Sequence, residues 1–205
     1  MDIVYILGSG SFCGNKEIGY SIKSLKKHCL DLGKIYVIGE KPEGLPDIIH
    51  IPANDSFDKK WKNAYSKVKL ACATSDISDE FLLMNDDFFF TRDFRASDWP
   101  FYALKGSNGG SCGTHSFHIH SAIRIKKDWY SKMPLDINSK GHQSPRTFYA
   151  NFYKAPPTFC NDFIVRAGEG GRSPDEQIIG WPCFSVGDHS MLYQPFVDWL
   201  DSLYS

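Results

Sequence analysis

Apolar residues run unbroken from Ile3 to Leu7, and the run stops at Gly8-Ser9-Gly10. A short buried run closed by glycines predicts a strand over Asp2 to Leu7. From Asn15 to His28 the spacing changes. Ile18, Ile22 and Leu25 recur at three and four residues, with lysines on the opposite face, which predicts an amphipathic helix. Lys34 to Gly39 reads as a second strand, closed by Pro42 and Gly44, and Ile48 to Pro52 as a short extended piece. Helical spacing returns over Asp58 to Thr74, with Trp61, Ala64, Tyr65 and Val68 inward. Phe81 to Met84 is the third main strand, and it leads into Asn85-Asp86-Asp87 and three phenylalanines. Alternating strands and helices predict an α/β fold: one domain with a mostly parallel central sheet flanked by helices. After residue 100 the pattern loosens into glycine-rich loops, a strand-like SFHIHSAIRI and long turns, without internal repeats.

The length of 205 residues suits one domain with a sizeable core. Its 30 Phe, Tyr and Trp residues exceed what an average chain carries. Core packing accounts for most of them, and a few could line a sugar or base site. A formal charge of −1 excludes global attraction to nucleic acid or to an acidic membrane. The distribution is more informative than the sum, because every arginine lies at or after position 92. Arg is the better bidentate partner for phosphate, so an anionic ligand is expected to draw on Arg146 and Arg172 as well as on Lys67. The six cysteines contain no C-x-x-C pair, which fits neither a zinc finger nor a compact disulfide framework. Reduced thiols are expected. The N-terminal apolar run is too short for a signal peptide and no segment approaches a membrane span, so the expected location is cytoplasmic.

In parallel α/β sheets, ligands bind beyond the carboxyl ends of the strands. Gly8-Ser9-Gly10 and Asn85-Asp86-Asp87 both fall at such ends and are expected to share a crevice. The glycine turn is either a plain strand-to-loop turn or a loop contacting a nucleotide. It lacks the third glycine of a dinucleotide fingerprint, and no well-placed ribose-binding acid is evident after the next strand. Asn85, Asp86 and Asp87 are oxygen ligands of the kind Mg²⁺ or Mn²⁺ takes while gripping phosphates. The alternative is a solvated turn held by Asx hydrogen bonds. His118 and His120 share a face in an extended THSFHIH, which suits either zinc or substrate contact. Asp175 and Glu176 follow Ser173-Pro174 at a helix start, where they either cap the helix or serve as a general base. His189 is a late histidine able to return to a metal.

The run NKEIGYSIKSLKKHCLDLGKIYVIGEKPEGLP followed by FLLMNDDFFF resembles the opening of the Stealth-type sugar-phosphate transferases. Asn15, Glu17, Tyr20, Ser21, Ser24 and Leu25 fit that group's helix motif, and Pro42 and Leu45 fit the segment after its strand. The family's usual first motif, V-Y-T-W-V-D-G, reads VYILGSG here, and its helix Arg is Lys23. More broadly the chain resembles nucleotide-sugar glycosyltransferases of the GT-A fold, including small single-domain members of phage type. That resemblance implies a nucleotide-sugar-binding half over about residues 1–99 and an acceptor-side half over about 100–205. It also implies Mn²⁺ or Mg²⁺ at Asn85, Asp86, Asp87 and His189, with Asp175 or Glu176 as base. Gly8, Ser9, Gly10, Asn15, Glu17, Lys67, His118, Arg146 and Arg172 would contact substrate. The expected activity is sugar transfer from a nucleotide sugar to an acceptor hydroxyl on a glycan or a modified DNA base. Sugar-1-phosphate transfer and a non-catalytic binding role are the alternatives.

Overall fold

The computed structural model describes residues 1–9, 14–45, 47–117, 120–138, 144–167, 173–187 and 189–204. Its first six elements are β1 (Asp2–Leu7), α1 (Glu17–His28), β2 (Ile35–Gly39), β3 (Ile49–Pro52), α2 (Lys60–Ala73) and β4 (Glu80–Met84). They lie close to the ranges that the hydrophobic pattern predicts. After the acids come β5 (Phe88–Phe90) and β6 (Phe101–Leu104), which the pattern did not predict, and the end of the strand-like SFHIHSAIRI falls in β7 (Ile123–Lys126). The remaining elements are α3 (Lys127–Lys132), α4 (Pro145–Phe152), β8 (Pro157–Cys160), β9 (Ile164–Val165), α5 (Pro174–Ile178), β10 (Cys183–Val186) and α6 (Gln194–Tyr204).

The central sheet has the order β3-β2-β1-β4-β7. Its first four strands are parallel and β7 runs antiparallel on the edge beside β4. Both faces are covered, which is why β1, β2 and β4 are continuous apolar runs rather than alternating ones. The period of two still decides which helix each residue meets. Ile3, Tyr5, Leu7, Val37, Leu82 and Met84 face α1 through Ile18, Ile22 and Leu25. Val4, Tyr36, Ile38, Phe81 and Leu83 face α2 through Trp61, Tyr65, Val68 and Ala71.

The three phenylalanines after the acids belong to a second sheet, β5-β10-β9. Phe88 and Phe90 pack with the α1 layer and Trp99, while Phe89 stacks on Phe184 and Tyr204 beneath α6. Asn85-Asp86-Asp87 is therefore a link between two sheets, made where β4 ends and a fully buried strand begins. The five described cysteines are free thiols. Among the described residues no helix is long and apolar enough to cross a membrane.

Candidate functional site

Beyond the carboxyl ends of β1, β3 and β4 lies a cavity of about 300 Å³. Gly8 and Ser9 reach it from β1, Asp55 from the loop after β3, and Asp86 and Asp87 from β4. The start of α1 contributes Asn15 and Glu17, and α2 contributes Lys60, Asn63 and Lys67. The described part of the glycine turn and the two aspartates thus share one crevice, as strand order led us to expect. Gly10 lies outside the described residues.

One wall is a closed ion pair. Lys67 is buried, and its Nζ donates to Asp55 Oδ1 at 2.5 Å and to the Leu7 carbonyl at 2.7 Å. Ser9 donates to Asp55 Oδ2 from its backbone N–H at 3.0 Å and from its hydroxyl at 3.3 Å. Burial works to raise the Asp55 pKa, but the bonds from Lys67 and Ser9 outweigh it and hold the carboxyl below its usual range. Lys67 is accordingly a strut between β1 and the β3 loop, with its charge already balanced. Gly39, at φ 122°, makes room for it, since a Cβ there would lie 2.0 Å from the Leu7 oxygen that Lys67 holds.

The opposite wall carries the acids. Burial, then the charges of Asp87 and Glu17, push the Asp86 pKa up to about 7. Asp87 is half engaged: Oδ2 accepts from His120 Nδ1 at 2.8 Å, whereas Oδ1 is buried and has no hydrogen-bond partner among the described residues. Burial opposes charge on His120, yet the hydrogen bond and charge of Asp87 outweigh it and raise the imidazole pKa. Behind this pair Arg146 donates to Asn85 Oδ1 at 2.5 Å and to the Ser121 carbonyl. Desolvation lowers the Arg146 pKa to about 10, so the guanidinium stays cationic at neutral pH.

These contacts reassign several expected roles. The Asn85 side-chain oxygen is taken by Arg146 and Asn85 is not among the crevice walls, which leaves the two aspartates as the oxygen donors. Arg146 is 8% exposed, is not among the crevice walls, and contacts the acid loop through Asn85. Asn15 does line the crevice, at φ 58° with its amide donating to Glu40. Asp175 and Glu176 do not line the crevice. Glu176 closes a capping box with Ser173, and Asp175 accepts from Trp199 Nε1 at 2.8 Å. His189 is exposed on the turn beyond the crevice-lining Val186 and Gly187. His118 and Arg172 lie outside the described residues.

Two acids missing from the expected set are Asp55 and Glu40. Glu40 directly follows β2, the place where nucleotide-binding α/β proteins keep a ribose-binding acid. It borders a second cavity of about 730 Å³ that shares Asn15 with the first. Among the described residues no three His, Cys, Asp or Glu side chains close into a ready-made metal cage. Mg²⁺ and Mn²⁺ sites seldom need one, since one or two carboxylates joined by substrate phosphates and water suffice. Asp87, with a buried oxygen that has no hydrogen-bond partner among the described residues, and Asp86, whose pKa burial and the neighbouring acids raise, fit that donor set. No family model matches the chain, and no curated protein matches it.

Proposed function

We propose that the chain is a metal-dependent glycosyltransferase of GT-A-like architecture, moving a sugar from a nucleotide-sugar donor to an acceptor hydroxyl on a glycan or a modified DNA base. The observation that carries this reading is the buried Asp87 Oδ1, without a hydrogen-bond partner among the described residues, beside a second carboxylate whose pKa is raised by burial and then by like charge. Two carboxylates at a strand end in a ligand-sized crevice are costly unless a cation completes them.

In this reading Asp86 and Asp87 hold Mn²⁺ or Mg²⁺ at the crevice wall. The bound ion supplies charge neutralisation for the departing nucleoside diphosphate. His120 keeps Asp87 oriented through Oδ2, which leaves Oδ1 for the cation. Lys60, exposed at the crevice rim, is the cation available to a phosphate, because Lys67 is already bound to Asp55. Donor ribose and base have room toward the larger cavity and Glu40. Glu176 sits in its capping box and Asp175 against Trp199, neither on the crevice wall, so this reading assigns neither as acceptor base.

The test is calorimetric titration of the whole chain with a panel of nucleotide sugars, with Mn²⁺ and with chelator. One donor should bind in Mn²⁺, and at 100 times its Kd it should add about 2.7 kcal/mol of stability. Asp87→Asn should abolish the Mn²⁺ dependence. Donor binding in the parent protein that is indifferent to chelator overturns the proposal. For a binding donor, release of nucleoside diphosphate identifies glycosyl transfer, while a phosphodiester product identifies sugar-1-phosphate transfer.

A further inference from the structure

We infer that Arg146 is a positioning residue whose single buried guanidinium sets the place of the Asp86-Asp87 loop and of His120 together. The inference rests on the reading that this acid loop is the working wall of the crevice.

Arg146 occupies the first turn of α4, whose start is fixed twice. Pro145 supplies a preset backbone angle, and the Ser144 side chain accepts from the Thr147 N–H. From that fixed point the guanidinium reaches two acceptors far apart in the chain. One nitrogen donates to Asn85 Oδ1, immediately before the acids, and another to the carbonyl of Ser121, immediately after His120. His120 in turn meets Asp87 at 2.8 Å. The contacts close a ring: Arg146 to Asn85, along the chain to Asp87, across to His120, along the chain to Ser121, and back to Arg146. The two segments continue the antiparallel β4–β7 pair past its last partners, Leu83 and Ile123, and the ring carries that register on to the acids. Two acceptors in diverging directions call for a planar fork, and a lysine ammonium cannot reproduce it.

The charge matters as well as the geometry. An isolated buried cation is costly, and here the carboxylates of Asp87 and Asp86 lie close enough to favour the protonated form of Arg146. By the same attraction Arg146 offsets part of the repulsion between the acids while no other cation is present. It acts through Asn85 and His120.

The experiment uses the whole chain with Arg146→Lys, Arg146→Met and Asn85→Ala. The first readout is metal-free: the imidazole ¹⁵N shifts of His120 in long-range ¹H–¹⁵N spectra, assigned by their loss in His120→Gln, report whether Nδ1–H is still fixed on Asp87. The second is Mn²⁺ affinity by electron paramagnetic resonance. We expect all three variants to melt cooperatively, lose the fixed tautomer signature, and bind Mn²⁺ at least tenfold more weakly. In the double variant Asn85→Ala/Arg146→Met, made to close the cycle, the two effects should combine to less than their sum, as for two parts of one contact. Should Arg146→Met fail to fold, Arg146→Lys and Asn85→Ala carry the test. Folded variants with the parent's His120 shifts and Mn²⁺ affinity overturn the inference. A parent that binds no Mn²⁺, with variants that still lose the His120 signature, removes the metal reading and leaves the positioning role standing.

Discussion

Asp86 is half-buried beside Asp87 and Glu17, and desolvation, then those charges, raise its pKa to about 7. In the unfolded chain it ionises near the ordinary carboxylate value, about 4. Between those limits the folded protein holds a proton that the unfolded chain has released, so stability falls as pH rises through the window. Asp2, Asp31 and Asp55, whose pKa values are lowered, act in the opposite direction, but they are common to parent and variant and cancel in the difference. Asp86→Asn should therefore match the parent near pH 4 and exceed it at pH 8, by on the order of 2 kcal/mol after discounting for partial exposure. Chemical denaturation across pH 4–8 in chelator measures this. A difference that does not depend on pH would mean that Asp86 ionises normally. Added Mn²⁺ should narrow the gap at pH 8 by stabilising the parent selectively.

At the scale of elements, α5 begins with a capping box made by Ser173 and Glu176. Ser173→Ala and Glu176→Ala each remove half of a capping box and should cost about 1 kcal/mol, with nucleotide-sugar affinity unchanged. Denaturant melts and donor titrations check the two halves of that statement. The Ser-Pro-Asp-Glu spacing was visible in the sequence, yet nothing local tells a capping acid from a base; only the path of the surrounding loops does. The elements up to β4 were legible because each is a buried run or a clear helical stripe. β5, β9 and β10 were not, since two to four residues show no period and Phe90 pairs with Cys183 far along the chain. The same limit hid Asp55. The rule that ligands gather at strand ends applies to it, but Ile48 to Pro52 reads too weakly to count as part of the sheet. Asn85 failed differently: its place beside the acids was plain, while its partner, Arg146, lies 61 residues away.

At the scale of the molecule, the two halves of the chain are interleaved. β7 supplies Ile123 and Ile125 to the α2 side of the core, and β10 pairs with the phenylalanines that follow the acids. His120 and Arg146 support the acid loop from the second half. A fragment of residues 1–99 should therefore not fold alone, because its Phe88 to Phe90 strand would lack β10 and β4 would lose its outer neighbour. Near-ultraviolet dichroism and the spread of amide resonances decide it; a cooperatively melting fragment would contradict the interleaving. The edge of the central sheet bears on the molecule's neighbours as well. β3 is an outermost strand, and Ile49 on it is 43% exposed. A long strand of that kind would invite a second chain to extend the sheet and seed aggregation. β3 has four residues, and its last, Pro52, has no N–H to offer a ladder. The strand whose end delivers Asp55 to the crevice is thus also too short and too blunt to let one molecule zip onto the next.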